Sequence, residues 1–187
     1  SPHPYRSFDR CVEADWSQAG FWYAAIALGS QVELEGLNAF SVQGDMAVVS
    51  HYLRLTHPGD LEIDVSGIPD LLPPLAVMAA VRSGTTRFVN AGRLRMKESD
   101  RLSSVRAMLT ALGGRCEEGP DSLTVTGGTL TGGTVDGAND HRIVMAAAIA
   151  ATACTVPVTI LGAEAVSKSY PTFWEEYQRL GGDIHVL

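Results

Sequence analysis

An interval of 30 residues, used three times, constrains this chain more than any other feature. Asp15 and Asp45, Asp70 and Asp100, and Asp140 and Tyr170 each mark two helix starts 30 positions apart. Between and after the markers the same order of events recurs: an Ala-rich helix, a β-branched strand, then a second, amphipathic helix. The first copy has Ala24 to Ala27 followed by Val32-Glu33-Leu34, the second Ala76 to Ala80 followed by Thr85 to Val89, and the third Met145 to Ala148 followed by Val158 to Leu161. A unit of this size cannot bury its own apolar helices, so copies must pack on one another. Alanine lets neighbouring helices approach closely, which places the first helices inside and the polar-faced second helices outside.

The second helix of the middle copy shows apolar residues at helical spacing, Leu102, Val105, Met108, Leu109 and Leu112, and stops at Gly113-Gly114. The stop recurs as Gly181-Gly182. After each stop the chain is expected to return as a strand, Arg115 to Glu117 and Asp183 to Val186, with Leu123-Thr124-Val125 as a hairpin partner, which makes a full unit β-α-β-α-β-β. Pro73 and Pro74 fit a helix only in its first turn, where backbone N–H groups have no acceptor inside the helix. The first copy is short: after Tyr52 to Leu55 the chain runs through Thr56-His57-Pro58-Gly59 directly to Leu61 to Asp64. This reading sets a boundary at 56–60. Residues 1–58 are expected to be the last, incomplete unit of an N-terminal lobe, and 59–187 a C-terminal lobe of two units, about 59–127 and 128–187.

The formal net charge of -7 argues against nucleic acid as the main partner, since phosphate backbones need a surplus of Lys and Arg. A small anion needs only a local cluster. Cys11, Cys116 and Cys154 lack metal-type or disulfide-type spacing and suggest buried thiols in a reducing, cytoplasmic setting. Ser1 to Tyr5 carry no cationic start followed by an apolar run, so no signal peptide is expected there. The apolar stretch from Ile143 to Leu161 contains Thr, Cys and Pro157, and reads as a buried helix followed by a strand rather than a membrane span.

Three cationic elements fall at equivalent edges of the repeats. Lys97-Glu98-Ser99-Asp100-Arg101 leads into a helix, and on charge alone it is either a solvated start with local ion pairs or an anion site. Asp140-His141-Arg142 is either an N-cap with two polar neighbours or a cation aimed into a cleft. Lys168 again stands just ahead of a helix, in Val166 to Pro171. Folding by the repeat would gather all three.

These motifs, with Ile68-Pro69-Asp70, Gly44-Asp45 and Lys168-Ser169-Tyr170-Pro171, match in order and spacing the C-terminal half of EPSP synthases, and the chain resembles that family from about Glu13 onward. The resemblance implies an α/β (α+β) fold of the enolpyruvyl transferase inside-out barrel type, helices inside and sheets outside. It implies transfer of the carboxyvinyl group of phosphoenolpyruvate to the 5-hydroxyl of shikimate-3-phosphate, with no metal and no cofactor. Asp70 would accept the hydroxyl proton, and Glu98 would serve as acid/base at the methylene carbon. Lys97 would touch both substrates, Arg101 and Arg142 would grip the phosphoenolpyruvate carboxylate, and Lys168 its phosphate, with Asp140 and His141 beside them in the binding set.

Some positions depart from the family. Gln18 and Phe21 stand where many relatives have Ser and Tyr for the sugar phosphate, and Arg93 stands where Asn or an acid is frequent. The family's N-terminal lobe motifs, including a Gly-Asn-x-Gly-Thr and a Ser-Ser-Gln segment, are absent from these 187 residues. The resemblance therefore implies that they hold half the substrate contacts and need the N-terminal lobe as a partner. Two alternatives stay open: a non-catalytic fragment or binding module of the same fold, and a UDP-N-acetylglucosamine enolpyruvyl transferase.

Overall fold

Alanine decides what sits at the centre. The computed structural model describes residues 7, 9 and 11–186; the reading of Ser1 to Tyr5 lies outside them. Six helices follow one another as α1 (Trp16–Ala27), α2 (Val48–Leu55), α3 (Leu72–Val81), α4 (Arg101–Ala111), α5 (His141–Ala151) and α6 (Phe173–Arg179). Helices α1, α3 and α5, the Ala-rich members of the three copies, touch one another in all three pairings. Residues 72–80 and 141–150 are buried all round, as expected of helices with no solvent face.

The six strands are β1 (Leu61–Asp64), β2 (Thr85–Val89), β3 (Arg115–Gly119), β4 (Ser122–Thr126), β5 (Thr134–Asp136) and β6 (Thr159–Leu161). The middle copy is a complete β-α-β-α-β-β unit whose sheet has the order β1-β2-β4-β3, with β1 and β2 parallel and the other pairs antiparallel. Period-two alternation sends Ile63, Phe88 and Leu123 inward in one row, and Thr86 and Val125 in the next, against the helices. Glu62 and Arg87 face water. Helices therefore lie inside and the sheet outside.

Helix starts follow the markers in two ways. Asp15, Asp100 and Asp140 are N-caps whose carboxylates accept from the backbone N–H of Ser17, Ser103 and Arg142. Asp45 and Asp70 instead sit within short 3-10 turns (Gly44–Ala47 and Pro69–Leu71) that lead into α2 and α3, so their carboxylates are left for other partners. Pro73 and Pro74 occupy the first turn of α3.

Three expectations are corrected. Neither 32–34 nor 183–186 forms a strand: a strand needs a neighbour for its backbone donors and acceptors, and among the described residues no strand pairs with either segment. The third copy consequently has only the parallel pair β5-β6. Across the connection at 56–60, α1 and α2 pack against α3, and the buried residues of all three copies form one continuous cluster. The three Ala-rich helices pack closely into this shared core. Cys11 is exposed rather than buried, while Cys116 and Cys154 are half-buried and free. The apolar stretch from Ile143 is α5 followed by β6, and no helix among the described residues is long and apolar enough to cross a membrane.

Both glycine stops close in the same way. Gly114 N–H donates to the Leu109 carbonyl at 2.8 Å and Gly182 N–H to that of Tyr177 at 2.9 Å, with Gly113 and Gly181 at φ of 83° and 98°. A β-carbon on Gly113 would also lie 2.5 Å from the Thr131 hydroxyl. Gly113→Ala is expected to lower the unfolding free energy by about 1–2 kcal/mol, measured by urea denaturation.

Candidate functional site

The site forms where the helix starts of the middle and third copies meet. Asp70, left uncapped in its 3-10 turn, is held by three cations: Arg101 Nη1 at 2.7 Å and Lys97 Nζ at 3.2 Å on Oδ1, and Arg142 Nη2 at 3.1 Å on Oδ2. Lys97 comes from the loop ahead of α4, Arg101 from the first residue of α4, and Arg142 from the first turn of α5. Burial pushes the Asp70 carboxyl upward, but Arg142, Arg101 and Lys97 together outweigh it and hold it below the usual carboxylate range.

Arg101 is wholly buried. Its Nε donates to Asp140 Oδ2 at 3.0 Å, its Nη1 to Asp70, and its Nη2 to Glu98. A guanidinium removed from water needs partners on each face of its fork, and here three carboxylates provide them. In this arrangement the guanidinium fixes Asp70, Glu98 and Asp140 relative to one another. Asp140 is likewise held by protein groups. It is sealed from solvent and accepts from Ser99 Oγ at 3.0 Å, from Arg101, and from Arg142 N–H at 2.9 Å. The N-cap role leaves it facing the protein.

The groups open to a ligand are different. Arg142 Nη1 is buried with no hydrogen-bond partner among the described residues, a donor aimed at nothing the protein provides. Lys97 and Glu98 are partly exposed. His141 is buried beside them with its Nδ1 unpartnered; burial, and then the Arg142 charge, hold its pKa below the ordinary histidine value, so the ring is neutral at pH 7. Lys168 stands apart from the Asp70 cluster. Its Nζ donates to the Asn139 carbonyl at 2.5 Å and side chain at 2.6 Å, which ties it to the residue before Asp140.

The first copy also reaches the site through Asp45, to which the sequence reading gave no site role. Ser17 Oγ donates to Asp45, whose carboxyl is raised by burial; the Ser17 hydrogen bond opposes that rise, the Asp70 charge adds to it, and Arg142 opposes it. The signal was available, because Asp45 stands 30 residues after Asp15 as Asp100 does after Asp70. Gln18 bridges to the third copy, its Nε2 donating to Ser169 O at 3.3 Å and Oγ at 3.2 Å. Phe21 is core, and Arg93 is exposed on the turn before Lys97. Among the described residues no group of three or more His, Cys, Asp or Glu side chains is placed to hold a metal ion.

Comparison with known proteins identifies the family. The family model for EPSP synthase (3-phosphoshikimate 1-carboxyvinyltransferase) matches residues 56–177. The 3-phosphoshikimate 1-carboxyvinyltransferase of Clostridium acetobutylicum is 45% identical over 188 residues, covering 93% of this chain and 44% of that protein. Its counterpart in Clostridium kluyveri is 43% identical, covering 96% and 46%. Among solved structures, EPSP synthase from Acinetobacter baumannii superposes with a TM-score of 0.83 at 26% identity, covering 93% of this chain and 47% of that one. The enolpyruvyl transferase NikO from Streptomyces tendae shares the fold with a TM-score of 0.69 at 19% identity. The chain spans less than half the length of these relatives. On the matched segment, the similarity to the two clostridial proteins and the shared fold, the chain belongs to the EPSP synthase (3-phosphoshikimate 1-carboxyvinyltransferase) family.

Proposed function

We propose that this chain supplies the C-terminal part of an enzyme that transfers the carboxyvinyl group of phosphoenolpyruvate to the 5-hydroxyl of shikimate-3-phosphate with release of phosphate, acting in the cytoplasm. The observation that carries the reading is the convergence of Lys97, Arg101 and Arg142 on the single carboxylate Asp70, with Arg142 Nη1 buried and unpartnered. The cluster's charges are largely balanced by Asp70, Glu98 and Asp140, and what supports an anion is the buried guanidinium donor of Arg142 that no protein group satisfies among the described residues.

The residue roles follow from chemistry. Asp70, kept ionised by its cations, accepts the proton of the attacking hydroxyl. Glu98 is the acid/base group at the methylene carbon. Arg142 meets the phosphoenolpyruvate carboxylate, while Arg101 acts from behind by setting the three carboxylates. Lys97 reaches both substrates, and Lys168 leaves Asn139 to meet the phosphate. Asp140 and His141 hold Arg142 in place from the start of α5. In this reading the 187 residues carry half of the contacts and act only with the N-terminal lobe.

Isothermal titration with phosphoenolpyruvate and shikimate-3-phosphate, with and without an N-terminal lobe supplied from a relative, tests this. Weak or no binding is expected alone, and turnover once the lobe is present. Nanomolar affinity or turnover by the chain unaided would overturn the division of contacts. Product formed from UDP-N-acetylglucosamine but not from shikimate-3-phosphate would overturn the choice of acceptor.

A further inference from the structure

Lys97 and Glu98 sit on a loop with little structure of its own. Between the 3-10 turn Gly92–Met96 and the start of α4, none of the backbone N–H groups of residues 97–99 donates to another backbone group among the described residues. Side chains hold the loop instead. Its inner face is fixed by Lys97 on Asp70, Glu98 on Arg101 and Ser99 on Asp140. Those same contacts are the ones that a substrate and the reaction must disturb, so something else has to keep the loop in place when they loosen.

We propose that Arg95 is that element, a positioning residue whose guanidinium closes residues 95–100 into a strapped loop and fastens it to the β3-β4 turn. Its Nη1 donates to Asp100 Oδ2 at 2.8 Å and lies 2.7 Å from Glu118 Oε1. Its Nη2 donates to the Gly119 carbonyl at 2.8 Å, and its Nε to that of Pro120 at 3.1 Å. One planar fork thus joins both ends of the loop, the inward-facing acid of β3 and the tip of the hairpin. The hairpin tip is itself anchored, since Asp121 accepts from Gly92 N–H through its side chain and from Ala91 N–H through its carbonyl.

A solvated arginine pairing with a single acid contributes little. Arg95 differs because its donors serve two backbone carbonyls and two carboxylates at once, a geometry that a flexible ammonium cannot reproduce. Asp100 links the strap to helix formation, because its other oxygen accepts from Ser103 N–H at 3.2 Å as the cap of α4. Loss of the strap therefore frees the loop at both ends while α4, packed through Leu102, Val105 and Leu109, stays in place.

The kinetic part of this inference rests on the proposed transfer reaction; the structural part does not. Arg95→Lys is the test variant, and Arg115→Ala the control, since Arg115 ties the far end of β3 to the Gly127 carbonyl, away from the loop. In the 187-residue chain, amide hydrogen exchange at 97–99 is expected to quicken by about tenfold in Arg95→Lys, with residues 105–109 unchanged. With the N-terminal lobe supplied, kcat should fall by about ten- to a hundredfold while KM for phosphoenolpyruvate moves by less than about threefold. Arg115→Ala should lower the unfolding midpoint and leave kcat alone. A folded Arg95→Lys protein with unaltered exchange at 97–99, or with undiminished kcat, overturns the proposal. If Arg95→Lys does not fold, Asp100→Asn, which keeps the cap oxygen and opposes Arg95 with an amide, carries the same expectation. Absence of turnover in the wild type would sink the functional reading only, and the exchange result would still decide the role of Arg95.

Discussion

Arg101→Met is expected to leave the chain largely unfolded in buffer, or to lower its urea unfolding free energy by about 3–5 kcal/mol. The loss does not come from the methionine, which fits a buried site of that volume. It comes from what remains: Asp140, with no exposed surface, keeps its charge and loses the guanidinium that offsets it, and Asp70 and Glu98 lose one partner each. A second substitution separates these contributions. Asp140→Asn in the Arg101→Met background removes the stranded charge while its amide oxygen still caps α5, so part of the stability should return. Arg101→Lys should fall between, because a point charge reaches one carboxylate well and cannot span three. An Arg101→Met protein as stable as wild type would show that the carboxylates are neutral or solvated, and would remove the electrostatic basis of the site.

Much of this arrangement was legible in the sequence, for a physical reason. Helix starts, Ala-rich interiors and glycine stops are local signals, each set by a few adjacent residues, and a repeat multiplies them. Asp15, Asp100 and Asp140 cap where the 30-residue interval puts them, and the stops at 113 and 181 close with the same hydrogen bond. Strands were less secure because a strand is a property of two segments. The run 115–117 found β4, whereas 32–34 and 183–186 found no strand partner among the described residues. Helix packing has the same property: a missing hairpin is visible in the sequence, but whether α1 packs with α3 and α5 depends on distant surfaces.

The site divides along the same line. Residue types at helix starts can be read one by one, and Asp70, Lys97, Glu98, Arg101 and Arg142 do gather. Which of them faces a ligand is decided by burial, a sum over the whole fold. The sequence therefore could not separate Arg101, with each fork of its guanidinium held by protein carboxylates, from Arg142, with a donor to spare. Nor could it place Asp45 against Ser17 or Arg95 against the hairpin tip, because those partners lie 28 and about 25 residues away in directions set by packing.

Asp70→Asn should separate the chemical and structural roles of the central carboxylate. With the N-terminal lobe supplied, kcat is expected to fall by about 10²- to 10⁴-fold, the range for loss of a positioned proton acceptor, because an amide of the same shape cannot take the hydroxyl proton. The structural role appears in the pH dependence of stability. The folded-state pKa of Asp70 lies below its ordinary value of 3.8, so the ionised form is the one the fold favours. Its contribution is then fully present above that ordinary value and is lost as pH falls through the depressed folded one. The stability gap between proteins without and with Asp70→Asn, measured by urea unfolding, should be constant from pH 5 to 8 and narrow below about pH 4. Asp100 and Glu118 are also depressed, but they titrate alike in both proteins and cancel from the difference, while Asp45, whose pKa is raised by burial and further by the Asp70 charge, is replaced by Asn in both proteins compared. A gap that widens in acid would mean that burial, and not the three cations, governs Asp70. A kcat within threefold of wild type would move the proton acceptor elsewhere, with Glu98, which shares Arg101 with Asp70, the next carboxylate to test.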